Sequence, residues 1–516
     1  MRRLCWFTLG LAGAVCVFLL WKPEGTALVP GITALVLSLA GFLFGGMHLK
    51  RAAISLLGLA VGFVWCFGYQ ALFLRPLRSI TEESVPITAV AEEFPRTSAY
   101  GYSVVTKLEL GNRRYQSVLY YDEETDIEPG DRITCLAKLT PAEKKLKEDN
   151  FYYSSRGVWL IASCRGELQA EKAEKKQLRY LPAYANRALQ KSCAAVFPAD
   201  AVPLMQALLL GEKSGLSYAD KNDLSIAGIY HAVAVSGMHV SILLGIVLLL
   251  CGSRRRLAAA IGLPVIVFFV LMTGAPASAV RAGIMQSLLL LAPLLGREND
   301  PATSLCAALT LLLLENPWSM QNVGLQLSFT STAGILLFAA PIYRLLSGGK
   351  RMQKRLAQGG MLGWLLRAML VAAATSFAAT AFSMPFAARQ FDVISLAAPL
   401  TNMLCLWAMT VLFSAGMVLC AFGLLAAPLA AGPAWLLSWL CRYVWLIVRL
   451  IAKIPYAALY FEDVYSIVLG CFLYLCLMIF AVRPEVFRKP LVPCSVLAAA
   501  VFCLSAAALD YRLPSC

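Results

Sequence analysis

Long apolar runs separated by short polar stretches dominate the sequence. Three open the chain, at 4–21, 27–47 and 52–74. After a polar interval others follow at 232–251, 257–273, 281–296, 302–315, 323–346, 364–388, 393–430, 433–452, 464–482 and 492–509. A hydrocarbon core of about 30 Å takes roughly 20 residues of helix. Most runs approach that length, and 393–430 has room for one or two passes. The pattern predicts an α-helical polytopic membrane protein. In the polar interval the period changes. Positions 85–92, 102–110, 114–121 and 132–139 read as short strands separated by Gly, Asn, Asp and Pro, with Pro129, Gly130 and Asp131 turning into the last of them. Strands of this number and length predict an inserted small β-barrel of the oligonucleotide/oligosaccharide-binding (OB-like) type.

A charged helix is predicted at 167–179, then two amphipathic stretches at 182–197 and 202–210, too interrupted to span and suited to the membrane interface. The expected organisation is therefore three membrane helices in 1–75, the barrel in 76–168, a linker with amphipathic helices in 169–228, a polytopic domain in 229–485, and a final helix with a short tail in 486–516.

Composition sharpens this picture. Of the 516 residues 59% are hydrophobic and 15% charged, too apolar for an ordinary water-facing surface. The net charge of +15 is not a nucleic-acid signal, because the stretch from Arg75 to Arg187 is nearly balanced, with 18 basic and 17 acidic residues. The excess lies in loops, as the positive-inside bias of a plasma (inner) membrane protein requires. Arg2, Arg3, His48, Lys50 and Arg51 put the N-terminus in the cytoplasm and the barrel outside it, and Arg254, Arg255, Arg256, Lys350, Arg351, Lys354 and Arg355 then fall inside. Beyond Asp392 the count is ambiguous. If 393–430 crosses twice and every later run spans, Arg483, Arg488 and Lys489 fall on the wrong side, so one run is expected not to cross fully. Most of the sixteen cysteines lie in apolar helices as small packing residues. Cys135 and Cys164 fall in the barrel and form a disulfide candidate if it faces an oxidising space.

Polar side chains at bilayer depth are costly unless they face protein or water. The densest group is His231, Ser236 and His239, with Gly237 beside them; Ser236 and His239, three apart, share a helix face. They line a cavity or are satisfied polar groups near a helix start. Arg281 follows the small-residue stretch Thr273-Gly-Ala-Pro-Ala-Ser278, and either offers a fixed charge to a passing anion or snorkels outward. Asn322, Gln326 and Thr330 form a polar stripe after Glu315-Asn-Pro-Trp318, suited to pore lining or to helix–helix hydrogen bonding. Arg389 to Asp392 reads as a surface loop. No HExxH, C-x-x-C, P-loop or His-rich two-metal pattern occurs, so no catalytic residue, metal or cofactor is expected.

These residues also carry a likeness. The stretches 207–218 (ALLLGEKSGLSY), 228–244 (GIYHAVAVSGMHVSILL), 274–286 (GAPASAVRAGIMQ), 296–301 (GREND then Pro301) and 316–336 (NPWSMQNVGLQLSFTSTAGIL) resemble the signature of ComEC-type competence proteins. The likeness runs over roughly residues 30 to 480 and includes Pro129-Gly-Asp131 and 150–158 (NFYYSSRGV) in the barrel. It implies an inner-membrane channel for uptake of single-stranded DNA in natural transformation. Implied partners are single-stranded DNA, the lipid bilayer, a competence DNA receptor and a cytoplasmic translocation ATPase, with a homo-oligomer as a further option. Many relatives continue into a metallo-β-lactamase-like domain; this sequence ends at Cys516 without one, and no nuclease activity is expected of it. Two other readings stand beside the channel: a secondary transporter or lipid-handling permease unrelated to DNA, and a membrane enzyme using His231 or His239 as base.

Overall fold

The computed structural model describes residues 2–21, 28–44, 46–78, 80, 84–98, 101–111, 113–142, 152–173, 177–252, 254–348, 360–391 and 393–460. Helices α1 (Arg3–Trp21), α2 (Leu28–Phe44) and α3 (Met47–Tyr69) come first; α3 runs through a π turn, Gln70–Leu74, into α4 (Arg75–Arg78). Strands β1 (Ser84–Ala91), β2 (Arg96–Ser98), β3 (Gly101–Leu110), β4 (Arg113–Tyr121), β5 (Arg132–Pro141), β6 (Leu160–Cys164) and β7 (Gln169–Glu171) follow. Then come α5 (Leu181–Val196), α6 (Val202–Leu210), α7 (Tyr218–Ile226), α8 (Tyr230–Val233), α9 (Gly237–Cys251), α10 (Arg255–Met272), α11 (Ala277–Leu291) and α12 (Pro301–Glu315). A 3₁₀ turn, Pro317–Gln321, precedes α13 (Val323–Leu346), and α14 (Gly360–Phe391), β8 (Val393–Ser395), α15 (Ala398–Ala452) and β9 (Ala458–Tyr460) complete the order. Among the described residues seven helical segments are long and apolar enough to cross a membrane. The protein is a multi-pass membrane protein.

The chain divides into two compact units, residues 1–187 with 247–325, and 188–246 with 326–516. In the first, α1 and α3 touch backbone to backbone. A side chain at Gly10 would collide with the Ser55 carbonyl, and one at Gly58 with the Phe7 carbonyl. Small residues supply the close packing that apolar lipid cannot drive.

The strands of this unit close on themselves. β1 pairs with β3, β3 with β4, β4 with β6, β6 with β5, and β5 back with β1; the β4–β6 pair is parallel and the others antiparallel. Alternation drives the closure. In β4, Tyr115, Ser117, Leu119 and Tyr121 point inward, and in β5 Ile133, Cys135, Ala137 and Leu139 do the same. Inward Thr106 and Ser117, paired across β3 and β4, share a buried 2.7 Å hydrogen bond, so neither hydroxyl is stranded in the apolar core. The Pro129-Gly-Asp131 turn is structural. Gly130 sits at φ +101, where a side chain would meet Tyr180. Asp131, 2% exposed, accepts from the Glu128 amide (2.8 Å) and the Ala173 amide (3.0 Å), tying the start of β5 to the chain beyond β7.

In the second unit α5 and α6 lie on α15. Gly416 and Gly423, seven apart and so on one helical face, leave room for Met205 and Val196, and the Ser192 hydroxyl donates to the Cys420 carbonyl at 2.7 Å. Gly228, at φ +78, admits Ser395 and Ala398.

Several expectations are corrected. Among the described residues the charged helix expected at 167–179 does not form: Gln169–Glu171 is β7, paired with β5. The 202–210 stretch is no interfacial helix, since Leu204, Met205 and Ala207 through Leu210 are buried in the second unit. Over the runs at 393–430 and 433–452, α15 is two helices that meet in a kink at Ala426, whose backbone is non-helical, so the break falls inside the first run rather than after it. Arg389 belongs to the last turn of α14 rather than to a loop. The runs at 464–482 and 492–509, with Lys350, Arg351, Lys354, Arg355, Asp392, Arg483, Arg488 and Lys489, lie outside the described residues.

Candidate functional site

The apolar run expected at 232–251 is broken. Helix α8 ends at Val233, and α9 starts at Gly237 after an extended Ala234. Ser236 stands at the cap position of α9, and His239 is its third residue. The Ser236 amide donates to His239 Nδ1 at 2.9 Å, with the Ser236 hydroxyl 3.2 Å from the same nitrogen. The imidazole thus does what a glutamate does in a capping box, satisfying an amide that the helix leaves over.

This bond fixes the tautomer. A nitrogen that accepts from an amide carries no proton, so in the neutral ring the hydrogen sits on Nε2. Among the described residues Nε2 has no hydrogen-bond partner, although His239 is fully buried and its ring lies edge-on to Phe413 at 4.6 Å between centroids. A buried donor without an acceptor is costly. The arrangement offers one fixed N–H group inside the helical bundle. It does not resemble a nucleophile–base pair, because the nitrogen facing the Ser236 hydroxyl is already engaged by the Ser236 amide.

The other predicted residues fall in different settings. His231 is exposed on α8, and no hydrogen bond joins it to His239 among the described residues. Arg281, 9% exposed, lies on the buried face of α11 with Ala279, Ala282 and Gly283, and its Nη1 is 3.2 Å from Met285 Sδ. Ahead of it Thr273 to Pro276 form a tight connection in which Gly274 and Ala275 both take positive φ, and the Asn186 side chain donates to the Met272 carbonyl at 2.7 Å. Asn322 caps α13 by accepting from the Leu325 amide at 3.1 Å, and the Thr330 hydroxyl donates to the Gln326 carbonyl at 2.7 Å. Two members of the polar stripe therefore make local bonds. Arg281 and Asn322 belong to the first unit; His231, Ser236, His239 and Gln326 belong to the second.

Sequence patterns missed an aromatic joint that fixes the barrel to the helices of the first unit. Tyr69 of α3 lies 5.8 Å from Trp159, just before β6, and 5.6 Å from Trp318, in the turn before α13; the two tryptophans meet at 6.0 Å. Trp65 Nε1 donates to the Leu313 carbonyl at 3.2 Å. Asn316 Nδ2 donates to the Ser154 carbonyl at 2.9 Å, while its Oδ1 accepts from the Trp318 amide. The clustered Asn-Pro-Trp was the available signal, but sequence alone did not supply its partners. On the outer side Tyr120 and Tyr153 share a 2.8 Å hydroxyl bond, and the Arg156 guanidinium stacks 3.9 Å from the Tyr152 ring.

Residues 208–487 match the family described as competence protein. The chain belongs to that family. Over 146 residues it is 30% identical to ComE operon protein 3 of Bacillus subtilis (strain 168), covering 28% of this chain and 19% of the relative. Over 405 residues it is 24% identical to Competence protein ComA of Neisseria gonorrhoeae, covering 74% and 54%. The chain thus spans about half or less of the length of these relatives. No solved structure matches it. In this competence family member Cys135 and Cys164 are free thiols on adjacent strands, with Cys164 opposite Ala137 rather than opposite Cys135. Among the described residues no cluster of His, Cys, Asp or Glu is placed to hold a metal.

Proposed function

We propose that this protein is a bacterial inner-membrane channel that admits single-stranded DNA during natural transformation, with its N-terminus in the cytoplasm and its barrel outside. Family membership supports the setting. The observation that carries the reading is the fixed barrel. Counting its five closing strands in chain order, the order around the barrel is 1-2-3-5-4, with 3 and 5 parallel, which fits an OB-like fold. Such barrels receive strands on the face of their second and third strands, here β3 and β4. Lys107, Arg114, Gln116 and Tyr120 lie outward there. Tyr152, Tyr153 and Arg156 adjoin Tyr120 and supply the aromatic and cationic surfaces on which bases stack. A barrel bolted to helices by Tyr69, Trp159 and Trp318 hands a strand on without a flexible tether.

In this reading the barrel receives a strand from a DNA receptor, a cytoplasmic ATPase drives its passage, and this chain performs no hydrolysis. Arg281, His239, Ser236 and Gln326 supply fixed donors along the path, each weak enough to release. The test is transformation frequency in a clean deletion strain complemented with wild type or Arg281→Ala. Deletion abolishes transformation while surface-bound DNA persists, and Arg281→Ala lowers it at unchanged protein level. Normal transformation in the deletion strain refutes the proposal. The α8–α9 break also suits a secondary transporter or lipid-handling permease. Vesicles that exchange a small solute but never take up an oligonucleotide select that reading.

A further inference from the structure

The second half of α15 ends in a groove of about 440 Å³ whose charges the channel reading does not use. Arg442, Arg449 and Lys453 line it together with Asp200 and Asp220, so the lining carries one surplus positive charge. The cations are not equivalent. Arg442 is committed: it binds Asp200 at 2.9 Å and stacks 4.9 Å from Trp439, and its guanidinium holds the Asp200 carboxyl below the usual carboxylate range. Arg449 is only loosely paired, 3.8 Å from Asp220, whose other oxygen is taken by the Ser217 hydroxyl at 2.8 Å in the capping box of α7. Trp445, 5.5 Å away, steadies the Arg449 guanidinium without neutralising it. Lys453, one turn on, has no ion pair among the described residues. The unspent charge therefore sits at Arg449 and Lys453.

The groove opens onto an apolar strip of the same helix. Leu446 and Leu450, in its wall, are 57% and 53% exposed, and Leu436 and Trp439 continue the strip toward the helix interior at 68% and 54%. Exposed leucines on a membrane helix face acyl chains, and tryptophans with arginines at its end mark the head-group level. We propose that Arg449 and Lys453 bind the phosphate of an anionic phospholipid whose tails lie along Leu446, Leu450 and Leu436. The size of the groove suits one head group. A nucleic-acid strand has no use for the leucines, and a free phosphate has none for the strip.

The experiment uses the full chain in detergent, with native mass spectrometry reading bound phosphatidylglycerol or phosphatidylcholine. Phosphatidylglycerol stays bound to the wild type and phosphatidylcholine is lost first. Arg449→Gln with Lys453→Gln weakens phosphatidylglycerol about thirty-fold, the effect of two surface cations, and Arg449→Lys with Lys453→Arg retains it. A gel-filtration profile and unfolding temperature like the wild type's show that the Gln pair is folded. If the Gln pair does not fold, the Lys/Arg exchange and competition on the wild type decide. Equal retention of both lipids, or undiminished retention by a folded Gln pair, overturns the proposal. So does displacement of the lipid by inorganic phosphate, which makes the groove a small-anion site, or by a single-stranded oligonucleotide, which makes it part of a nucleic-acid path. The site is independent of the channel proposal, since a protein that never imports DNA can still hold the lipid.

Discussion

The side-chain amide of Asn316 donates to the backbone carbonyl of Ser154 across 162 residues of sequence, joining the turn before α13 to the chain just ahead of β6. The bond is buried, so its loss strands a carbonyl away from water. Asn316→Ala is expected to cost about 1–3 kcal/mol, and Trp318→Ala, which empties the centre of the aromatic joint, about 3–5 kcal/mol. Thermal unfolding in detergent measures the stability. Limited proteolysis distinguishes the mechanism: if the joint fastens the barrel, cleavage near Ser154 rises in both variants before the helical part unfolds. Unchanged cleavage in both removes the joint from the account.

Tyr121 gives a prediction of opposite sign. Its hydroxyl is buried in the barrel with no hydrogen-bond partner among the described residues. Burial, with Tyr102 and Glu124 nearby, pushes its pKa up from 10.0 to about 12. Tyr121→Phe removes the stranded group at little change in shape, and is expected to raise stability by about 1 kcal/mol. The titration adds a check. A group whose folded pKa is raised contributes stability present below its unfolded pKa and lost as pH rises through the folded one. The wild type therefore loses stability between pH 10 and about 12, and Tyr121→Phe loses less. Equal alkaline losses mean that another tyrosine controls that window.

Much of the barrel was readable because alternation is a local signal: β1, β3, β4 and β5 begin and end within two residues of the predicted strands. Strand β6 was not read. Leu160-Ile-Ala is a short unbroken apolar run that becomes a strand only by pairing in parallel with β4. Strand β7 was misread as helix for the same reason, since Gln169–Glu171 owes its conformation to Thr134, Ile133 and Arg132 opposite. In the helical part the pattern marked which runs were apolar but not which polar residues serve their own helix ends. Asn322 and His239 look alike in sequence, and both turn out to cap helix starts; only His239 keeps a buried donor unspent. The Arg449–Lys453 groove escaped notice because its acidic partners are more than two hundred residues away.

The barrel cysteines are expected to differ in reactivity. Burial, reinforced by the neighbouring Cys164 thiol, pushes Cys135 up to about 12. The thiolate is the reactive form, so raising the pKa lowers its fraction at neutral pH. A maleimide added to the reduced protein should label Cys164 much faster than Cys135, as read by comparing Cys135→Ala with Cys164→Ala; the cysteines of the membrane helices provide the common background. Faster labelling through Cys135 means that the β5–β6 edge opens in solution. If both positions become unreactive until a reductant is added, the pair forms a bridge despite Cys164 lying opposite Ala137.

His239 separates structure from transport within one side chain. His239→Ala removes the acceptor of the Ser236 amide and is expected to destabilise the protein by about 1–3 kcal/mol. His239→Gln behaves differently, because glutamine at the third helical position reaches back to the cap amide as the histidine does. It keeps the cap and replaces the fixed Nε2 hydrogen with side-chain amide hydrogens at a different position and direction. If that hydrogen only tolerates its apolar surroundings beside Phe413, the Gln variant folds and transforms like the wild type. If it is one of the donors a strand meets in passage, the Gln variant folds normally, yet transformation falls about ten-fold, close to the worth of one hydrogen bond of about 1.4 kcal/mol in the rate-limiting contact. Measuring unfolding temperature, membrane protein level and transformation frequency together decides between them, because only the second case moves the last quantity alone.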